Sequence, residues 1–135
     1  MSIQELKVMA ATIRCDIIEM ITTANAGHPG GSLSAADIVT ALYFRVMQID
    51  PKNPAWPDRD RFILSKGHAC PVWYAALAER GFFDKSHLAT LRKLNSILQG
   101  QQDRNFSCIG IVKPVAQVFP ILFNPDFSGL KVCLF

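Results

Sequence analysis

Apolar residues recur at helical spacing through the first part of the chain. Six of them return every three or four positions: Leu6, Met9, Ile13, Ile17, Met20 and Ile21. Ser2 and Glu5 stand ahead of this pattern at the spacing of a capping box, so a helix is expected to begin at once. It is predicted to run to about Thr23, because Asn25 and Gly27 are typical of a helix end.

A second apolar pattern follows a turn that is rich in glycine. Ser34 has Asp37 three positions further on, which indicates a helix that begins near Ser34 and ends near Gln48. Its apolar face is predicted to comprise Ile38, Leu42 and Val46. Three prolines within the polar residues 50–60 then predict a stiff, exposed loop.

The next apolar run is short and lies between charged and glycine-containing neighbours. Residues 61–65 predict a buried strand of a parallel sheet. Residues 69–80 predict a helix that ends at Gly81, and residues 86–94 a shorter, more polar helix. The order helix, helix, strand, turn, helix is typical of an α/β fold, and it places His68 where open α/β sheets bind their ligands.

The character of the sequence changes after Gly100. Five of the nine phenylalanines fall in residues 101–135, and neither helical nor strand periodicity is sustained there. Short strands are expected at 109–112, 117–123 and 130–134 within an irregular tail. Residues 1–100 and 101–135 are therefore treated as two segments. The tail is interpreted either as a lineage-specific ending or, preferably, as the product of truncation by a frameshift, because its patterning is inconsistent.

Composition excludes several classes of protein. The net charge is +3 and the basic residues are scattered, so a nucleic-acid partner is not expected. No apolar run is long enough to predict a membrane span, and the N-terminus lacks the pattern of a signal peptide. The four cysteines form no paired motif and are expected to be reduced core or interface residues of a cytoplasmic protein.

Two glycine–histidine turns carry the candidate chemistry. Residues 26–34 read Ala-Gly-His-Pro-Gly-Gly-Ser-Leu-Ser, and residues 61–69 read Arg-Phe-Ile-Leu-Ser-Lys-Gly-His-Ala. Each turn offers a histidine beside backbone that other groups can approach closely. This arrangement favours an anionic or phosphorylated ligand, particularly where the turn leads into a helix.

These turns, together with Leu-Gln-Gly at 98–100, resemble transketolase, especially the separately encoded N-terminal subunit of bacterial and archaeal split transketolases. The resemblance covers residues 1–100. It implies a partial thiamine-diphosphate-binding α/β fold: N-terminal helices, then the first strand–helix unit of a parallel sheet. It also implies transfer of a two-carbon unit from a ketose phosphate to an aldose phosphate. The active site is implied to form between a thiamine-diphosphate-binding chain and its partner, which is a C-terminal transketolase subunit or a second copy.

The site residues follow from the resemblance, by position within the two turns. His28 is implied to lie near the reacting carbon, where it binds substrate or moves a proton. The cofactor-binding residues implied are Gly30, Gly31, Ser65, Lys66, Gly67 and His68. The paired glycines let the backbone approach the thiazolium ring, and the second turn lies over the diphosphate.

The sequence departs from the family at the metal site. The family carries a Gly-Asp-Gly and a later Asn that hold a divalent metal such as Mg²⁺, and this chain has no Gly-Asp-Gly. Gln101 and Gln102 stand where the family has His-Pro. No residue is therefore assigned as a metal ligand. The chain alone is expected to be inactive and to associate through an unpaired sheet edge.

Other hypotheses stay open at this point. The chain is either completed by other chains that supply the metal site, or a non-catalytic dimerisation or regulatory module derived from a transketolase subunit. Another thiamine-diphosphate family, such as deoxyxylulose-phosphate synthase or a dehydrogenase component, is a third hypothesis. His87 is expected to have no functional role. Four aromatic residues are expected to pack in the interior: Tyr43, Trp56, Trp73 and Tyr74.

Overall fold

The computed structural model describes residues 1–64 and 66–100, and the backbone of 131–134. The helices are α1 (Ile3–Ala24), α2 (Pro29–Ala41) and α3 (Cys70–Arg80), and the strands are β1 (Arg61–Leu64) and β2 (Lys131–Leu134). A π-helical turn, Leu42–Val46, extends α2, and two 3-10 helices span Gly67–Ala69 and Lys85–Thr90. Within the described residues, no helix combines the length and the apolar character that a membrane span requires.

Helix α1 agrees with its prediction at both ends. The Glu5 N–H donates to Ser2 Oγ at 3.3 Å, and the Ser2 N–H donates to Glu5 Oε2 at 2.6 Å, which completes the capping box. Asn25 adopts the left-handed conformation with φ 47° and caps the helix. The last helical residue is Ala24, one position beyond the predicted Thr23. These signals are local, so the sequence alone was sufficient to predict them.

Helix α2 begins at Pro29, so the predicted start near Ser34 was wrong. His28 is extended (φ −121°, ψ 116°) and forms the N-cap, and proline is well suited to the first helical position because it needs no hydrogen-bond acceptor there. Gly30 and Gly31 therefore lie in the first turn of a helix and not in a loop. The helical conformation ends at Val46, close to the predicted Gln48.

The apolar face predicted for the second helix was wrong at two of its three residues, since only Leu42 packs against the core. Ile38 is 50% exposed and Val46 is 53% exposed, whereas Ala36, Val39 and Tyr43 are buried. Helix α2 packs against both α1 and α3, and small residues such as Ala36 allow the close approach of its neighbours. The packing of three helices, and not the bulk of the side chains, determined which face turned inward.

Helix α3 lies at the centre of the core. Every residue from 72 to 77 is fully buried. Trp73 Nε1 donates to the hydroxyl of Tyr43 at 2.6 Å, and the Tyr43 ring meets Phe62 of β1 edge to face at 5.6 Å. The packing roles predicted for Trp73, Tyr43 and Tyr74 are confirmed, while Trp56 is half-buried in the loop before β1.

The two strands form a parallel pair, as the sequence predicted for this α/β fold. Arg61 is aligned with Lys131 and Leu64 with Leu134. The strand expected at 130–134 is thus present, and those expected at 109–112 and 117–123 lie outside the described residues. The last three residues of β1 are buried.

The fourth helix is shorter than predicted and is a 3-10 helix over Lys85–Thr90. The Asp84 carboxylate caps it by accepting from the Ser86 N–H at 2.8 Å, and this hydrogen bonding to Ser86 lowers the pKa of Asp84. Beyond it, Arg92 and Asn95 have φ values of 61° and 63°, which no helix accommodates. Within Lys85–Thr90 only Leu88 is buried, so few apolar contacts favour a longer helix.

Candidate functional site

The first glycine–histidine turn forms the N-terminus of α2. His28 is exposed and its side chain makes no capping hydrogen bond. The N–H groups of Gly30 and Gly31, which belong to the first helical turn, therefore have no acceptor within the helix. The helix dipole adds partial positive charge at the same place. This end of α2 is built to attract an anion.

The second turn leads from β1 into α3. Lys66 and His68 are exposed, and the Ala69 N–H donates to the Lys66 carbonyl at 2.9 Å, which holds the turn in a 3-10 conformation. Pro71 lies in the first turn of α3, where its lack of an N–H is tolerated. The strand–turn–helix arrangement predicted around His68 is confirmed, and Ser65 lies outside the described residues.

The structure brings the two turns together. A Cβ added to Gly31 would stand 3.5 Å from Lys66 Cδ and 3.7 Å from Ala69 Cβ. By contrast, a Cβ added to Gly30 or Gly67 would meet nothing within 4 Å. The two turns therefore touch along Gly31, while open space remains beside the backbone of the other two glycines. We call this arrangement the cradle, formed by residues 28–31 and 66–69.

Ser32 adds a polar atom that the sequence did not indicate. It is fully buried directly after Gly31, and its Oγ has no hydrogen-bond partner within the described part of the chain. Two positions further along the helix, the Ser34 hydroxyl donates to the Gly31 carbonyl at 3.0 Å. A serine at the inward position of the first helical turn could have been noticed only once the helix start at Pro29 was known.

Residues 98–100 are held against the first turns of α3, beside the cradle. The Tyr74 hydroxyl donates to the Gln99 carbonyl at 3.0 Å. The Cys70 thiol donates to the Gly100 carbonyl, with Sγ at 3.3 Å from the oxygen. A Cβ on Gly100 would come within 2.8 Å of Arg92 Nε, so the guanidinium packs tightly on that glycine. All three sequence motifs thus converge near the start of α3.

Burial governs the chemistry of the thiol in this cluster. Burial raises the pKa of Cys70 to about 11, against a smaller opposing contribution from its hydrogen bond with Tyr74. The thiol is therefore neutral and acts as a hydrogen-bond donor to the backbone of 98–100, which is a structural role. Neither Cys70 nor Tyr74 was singled out as an anchor for this segment from the sequence.

Two further observations concern possible metal ligands and the remaining histidine, His87. Across residues 1–64 and 66–100, no three His, Cys, Asp or Glu side chains lie together in a way that could hold a metal ion. His87 lies on the 3-10 helix after α3, and its ring meets Phe83 edge to face at 6.2 Å. The absence of a functional role for His87 stays a prediction.

Comparison with known proteins decides the family. The family described as transketolase, thiamine diphosphate binding domain, matches residues 5–111 of this chain. The chain belongs to the transketolase family. The match lies in the cofactor-binding domain, which does not favour the hypothesis of a dimerisation or regulatory module. The resemblance inferred from the two turns is confirmed, and the roles of the individual residues stay predictions.

The relatives show how much of the family the chain represents. It is 48% identical over 99 residues to the 6-deoxy-6-sulfo-D-fructose transketolase subunit SqwG of a Clostridium species, covering 73% of this chain and 36% of that protein. It is 44% identical over 98 residues to human transketolase, covering 73% of this chain and 16% of that protein. The chain thus spans about a third of the SqwG protein and about a sixth of the human enzyme.

The solved structures agree with this assignment. The crystal structure of transketolase from Campylobacter jejuni superposes with a TM-score of 0.72 at 36% identity, covering 82% of this chain and 17% of that one. Transketolase from Leishmania mexicana gives a TM-score of 0.71 at 32% identity, covering 73% of this chain and 15% of that one. The predicted α/β fold of the thiamine-diphosphate-binding type is confirmed.

Proposed function

We propose that this chain provides part of the thiamine-diphosphate site of a transketolase that moves a two-carbon unit from a ketose phosphate to an aldose phosphate. The observation that carries the proposal is the contact between the two turns along Gly31, which places Lys66 beside the free N–H groups at the start of α2. The family membership supplies the identity of the anionic ligand.

The cradle fits a ligand that bears phosphate groups. Unpaired backbone donors, the helix dipole and the exposed ammonium of Lys66 all favour negative charge. Open space beside Gly30 and Gly67 gives such a ligand access to the backbone. Thiamine diphosphate, when bound, supplies the electron-sink chemistry of the reaction.

Each candidate residue then has a role of its own. Lys66 and His68 hold the diphosphate, assisted by the backbone at Gly67 and by the hydroxyl of Ser65. Gly30 and Gly31 keep the backbone low beside the thiazolium ring. His28, exposed at the N-cap of α2, is free to donate a hydrogen bond to the sugar phosphate or to carry a proton. The divalent metal, Mg²⁺ in this proposal, is bound by residues outside this set.

The proposal includes a protein partner. Two relatives bear names that identify them as subunits: SqwG, and one chain of the apulose-4-phosphate transketolase of Phocaeicola vulgatus, to which this chain is 38% identical over 100 residues. We propose that the active site is completed by a second copy of this chain, by a C-terminal transketolase subunit, or by both, so that the chain alone is inactive. The division at about Gly100, a cytoplasmic location and the absence of nucleic-acid or membrane partners belong to the same proposal.

The test measures cofactor binding and two-carbon transfer separately. Calorimetry with thiamine diphosphate and Mg²⁺ is performed on the full chain together with a C-terminal transketolase subunit, and thiamine without phosphates serves as the control ligand. Lys66→Met is expected to weaken thiamine diphosphate binding about tenfold or more and to leave thiamine unaffected, because a charge-assisted contact is lost.

His28→Ala provides the matched comparison for that experiment. It is expected to reduce two-carbon transfer by about 100-fold or more while the dissociation constant of the cofactor changes little. Equal affinity of the parent chain for thiamine and thiamine diphosphate would contradict the role of the cradle. Two-carbon transfer by the chain without any partner would contradict the proposal of an incomplete site.

A further inference from the structure

Helix α1 carries a second pattern on the side that faces solvent. Exposed, uncharged side chains recur there at alternating intervals of four and three residues: Gln4, Val8, Ala11, Cys15, Ile18 and Thr22. Val8 is 60% exposed and Ile18 is 45% exposed. We call these six residues the outer seam. Their alternating spacing is the heptad repeat by which one helix packs along another.

The core uses the opposite side of the same helix. In a heptad written abcdefg, the outer seam occupies the a positions (Val8, Cys15 and Thr22) and the d positions (Gln4, Ala11 and Ile18). The buried residues of α1 fall at b, c and f: Ala10, Ile13, Asp16, Ile17 and Met20. The a and d positions of this helix therefore face away from its own core and are available to another helix.

Two open grooves of mainly apolar surface lie beside the outer seam. The first, of about 250 Å³, adjoins Val8, and the second, of about 510 Å³, adjoins Cys15 and Ile18. Side chains of a facing helix insert into such holes beside the a and d positions. The shape of the surface thus agrees with the spacing of its residues.

The charges that flank the outer seam select the partner and its direction. Lys7 and Arg14 lie at g positions on one side. Glu5 and Glu19 lie at e positions on the other side. In two parallel, in-register copies of α1, Arg14 of each copy faces Glu19 of the other, because a g residue meets the following e residue of its partner. In two antiparallel copies Arg14 would face Arg14, and Glu5 would face Glu19, which is repulsive. A second, parallel copy of this helix is therefore the complementary occupant.

Arg14 is held in place for this contact. Its guanidinium pairs with the Asp37 carboxylate of α2 at 2.6 Å, and its side chain remains 38% exposed. A guanidinium has five N–H donors, so it can bond Asp37 and Glu19 of a second copy at the same time. Because the pair with Asp37 already restricts the side chain, less conformational entropy is lost when the second contact forms.

We propose that this chain self-associates through the outer seam, with α1 of two copies packed as a parallel, in-register pair about a twofold axis. Such an interface is isologous, so Val8, Cys15 and Ile18 each meet their own counterpart. One pair of 22-residue helices makes a small interface, so the dimer dissociates on dilution and Cys15 is accessible in the monomer. The outer seam includes no residue of the cradle, and the proposal does not rest on the transketolase function.

Analytical ultracentrifugation of the full chain under reducing conditions measures this association. The parent chain is expected to pass from monomer to dimer as its concentration rises. Val8→Asp and Ile18→Asp are each expected to raise the dissociation constant about tenfold or more, because each buries a charge in the interface. Leu94→Asp is the matched control: it adds the same charge outside α1, at an apolar side chain that is 92% exposed, and is expected to change nothing. Circular dichroism verifies that all variants are folded.

Disulfide cross-linking tests the orientation and does not depend on the aspartate variants. Mild oxidation with diamide is expected to join Cys15 to Cys15 of a second copy, as identified by peptide mass spectrometry. In a Cys15→Ser background, Val8→Cys and Ile18→Cys chains are mixed before oxidation. The parallel pair is expected to give 8–8 and 18–18 disulfides, whereas an antiparallel pair would place position 8 beside position 18.

The charge pairing has its own variant. Glu19→Gln is expected to weaken the dimer about twofold to fivefold at low salt, and the difference from the parent is expected to shrink at high salt, because an ion pair at the edge of an interface is screened. An unchanged dissociation constant at low salt would overturn the assigned contact of Arg14 with Glu19.

Other results would overturn the proposal as a whole. One is a parent chain that stays monomeric at every concentration. Another is association that Val8→Asp and Ile18→Asp leave unchanged, because the interface would then lie on a different surface, such as a sheet edge. A mixed 8–18 disulfide would overturn the parallel arrangement of the two helices.

Discussion

The contact between the two turns can be tested with a pair of glycine substitutions in the first turn of α2. Gly30→Ala and Gly31→Ala both replace a glycine in a helix, so each is expected to stabilise the fold by about 0.5–1 kcal/mol through the lower conformational entropy of the unfolded chain. Neither residue has a positive φ, so alanine is compatible with both positions.

The two substitutions differ in what the new methyl group meets. At Gly31 the Cβ would lie 3.5 Å from Lys66 Cδ and 3.7 Å from Ala69 Cβ, which is ordinary van der Waals contact, while at Gly30 it meets nothing within 4 Å. Burying part of a methyl group contributes at most about 0.8 kcal/mol. Gly31→Ala is therefore expected to be more stable than Gly30→Ala by about 0.3–0.8 kcal/mol.

Urea denaturation of the full chain, followed by circular dichroism, measures both free energies of unfolding. The variants are then repeated in a Lys66→Gly background, which removes the side chain that the new methyl contacts. The difference between the two alanine variants is expected to shrink there, because part of the contact is gone. Equal stabilities of Gly30→Ala and Gly31→Ala would refute the contact between the two turns. A loss of more than about 1 kcal/mol in Gly31→Ala would indicate overpacking, and it would refute the 3.5 Å spacing between Gly31 and Lys66.

Two further predictions concern the core. Tyr43→Phe is expected to lower the free energy of unfolding by about 1–3 kcal/mol, because it leaves the buried Trp73 N–H without its 2.6 Å acceptor; urea denaturation checks this, and an unchanged stability would contradict the hydrogen bond. Cys70 is expected to react with iodoacetamide far more slowly than the exposed Cys15, as measured by peptide mass spectrometry. Since folding raises the pKa of Cys70 from 9.0 to about 11, its contribution to stability is complete below pH 9 and is lost as the pH rises through about 11.

Much of the fold follows from signals that are local in the sequence. The capping box of α1 and the left-handed Asn25 at its end were predicted because neighbouring residues form both. Gly81 ends α3 for the same reason, with φ 87°. The start of α2 was missed because only Ser34 and Asp37 were considered as its start signal, although the proline at position 29 is well suited to begin a helix.

The errors that remain come from packing, which no local pattern encodes. The helical spacing of Ile38 and Val46 predicts an inner face, but both are about half exposed, whereas Ala36 and Val39 are fully buried. In the candidate site, too, local features could be predicted from the sequence and contacts between elements could not. The sequence indicated each glycine–histidine turn, whereas the contact of Gly31 with Lys66 depends on how α2 packs against the 3-10 turn Gly67–Ala69.

The polar atoms that the fold leaves unpaired favour the ligand chemistry proposed for the cradle. At the cradle the unpaired groups are backbone N–H donors at the start of α2, and the side chains around them are exposed and basic. A bound anion therefore gains hydrogen bonds and stays in contact with solvent. Because salt screens exposed charges most strongly, the attraction of an anion to the exposed Lys66 and His68 of the cradle is expected to weaken as the ionic strength rises.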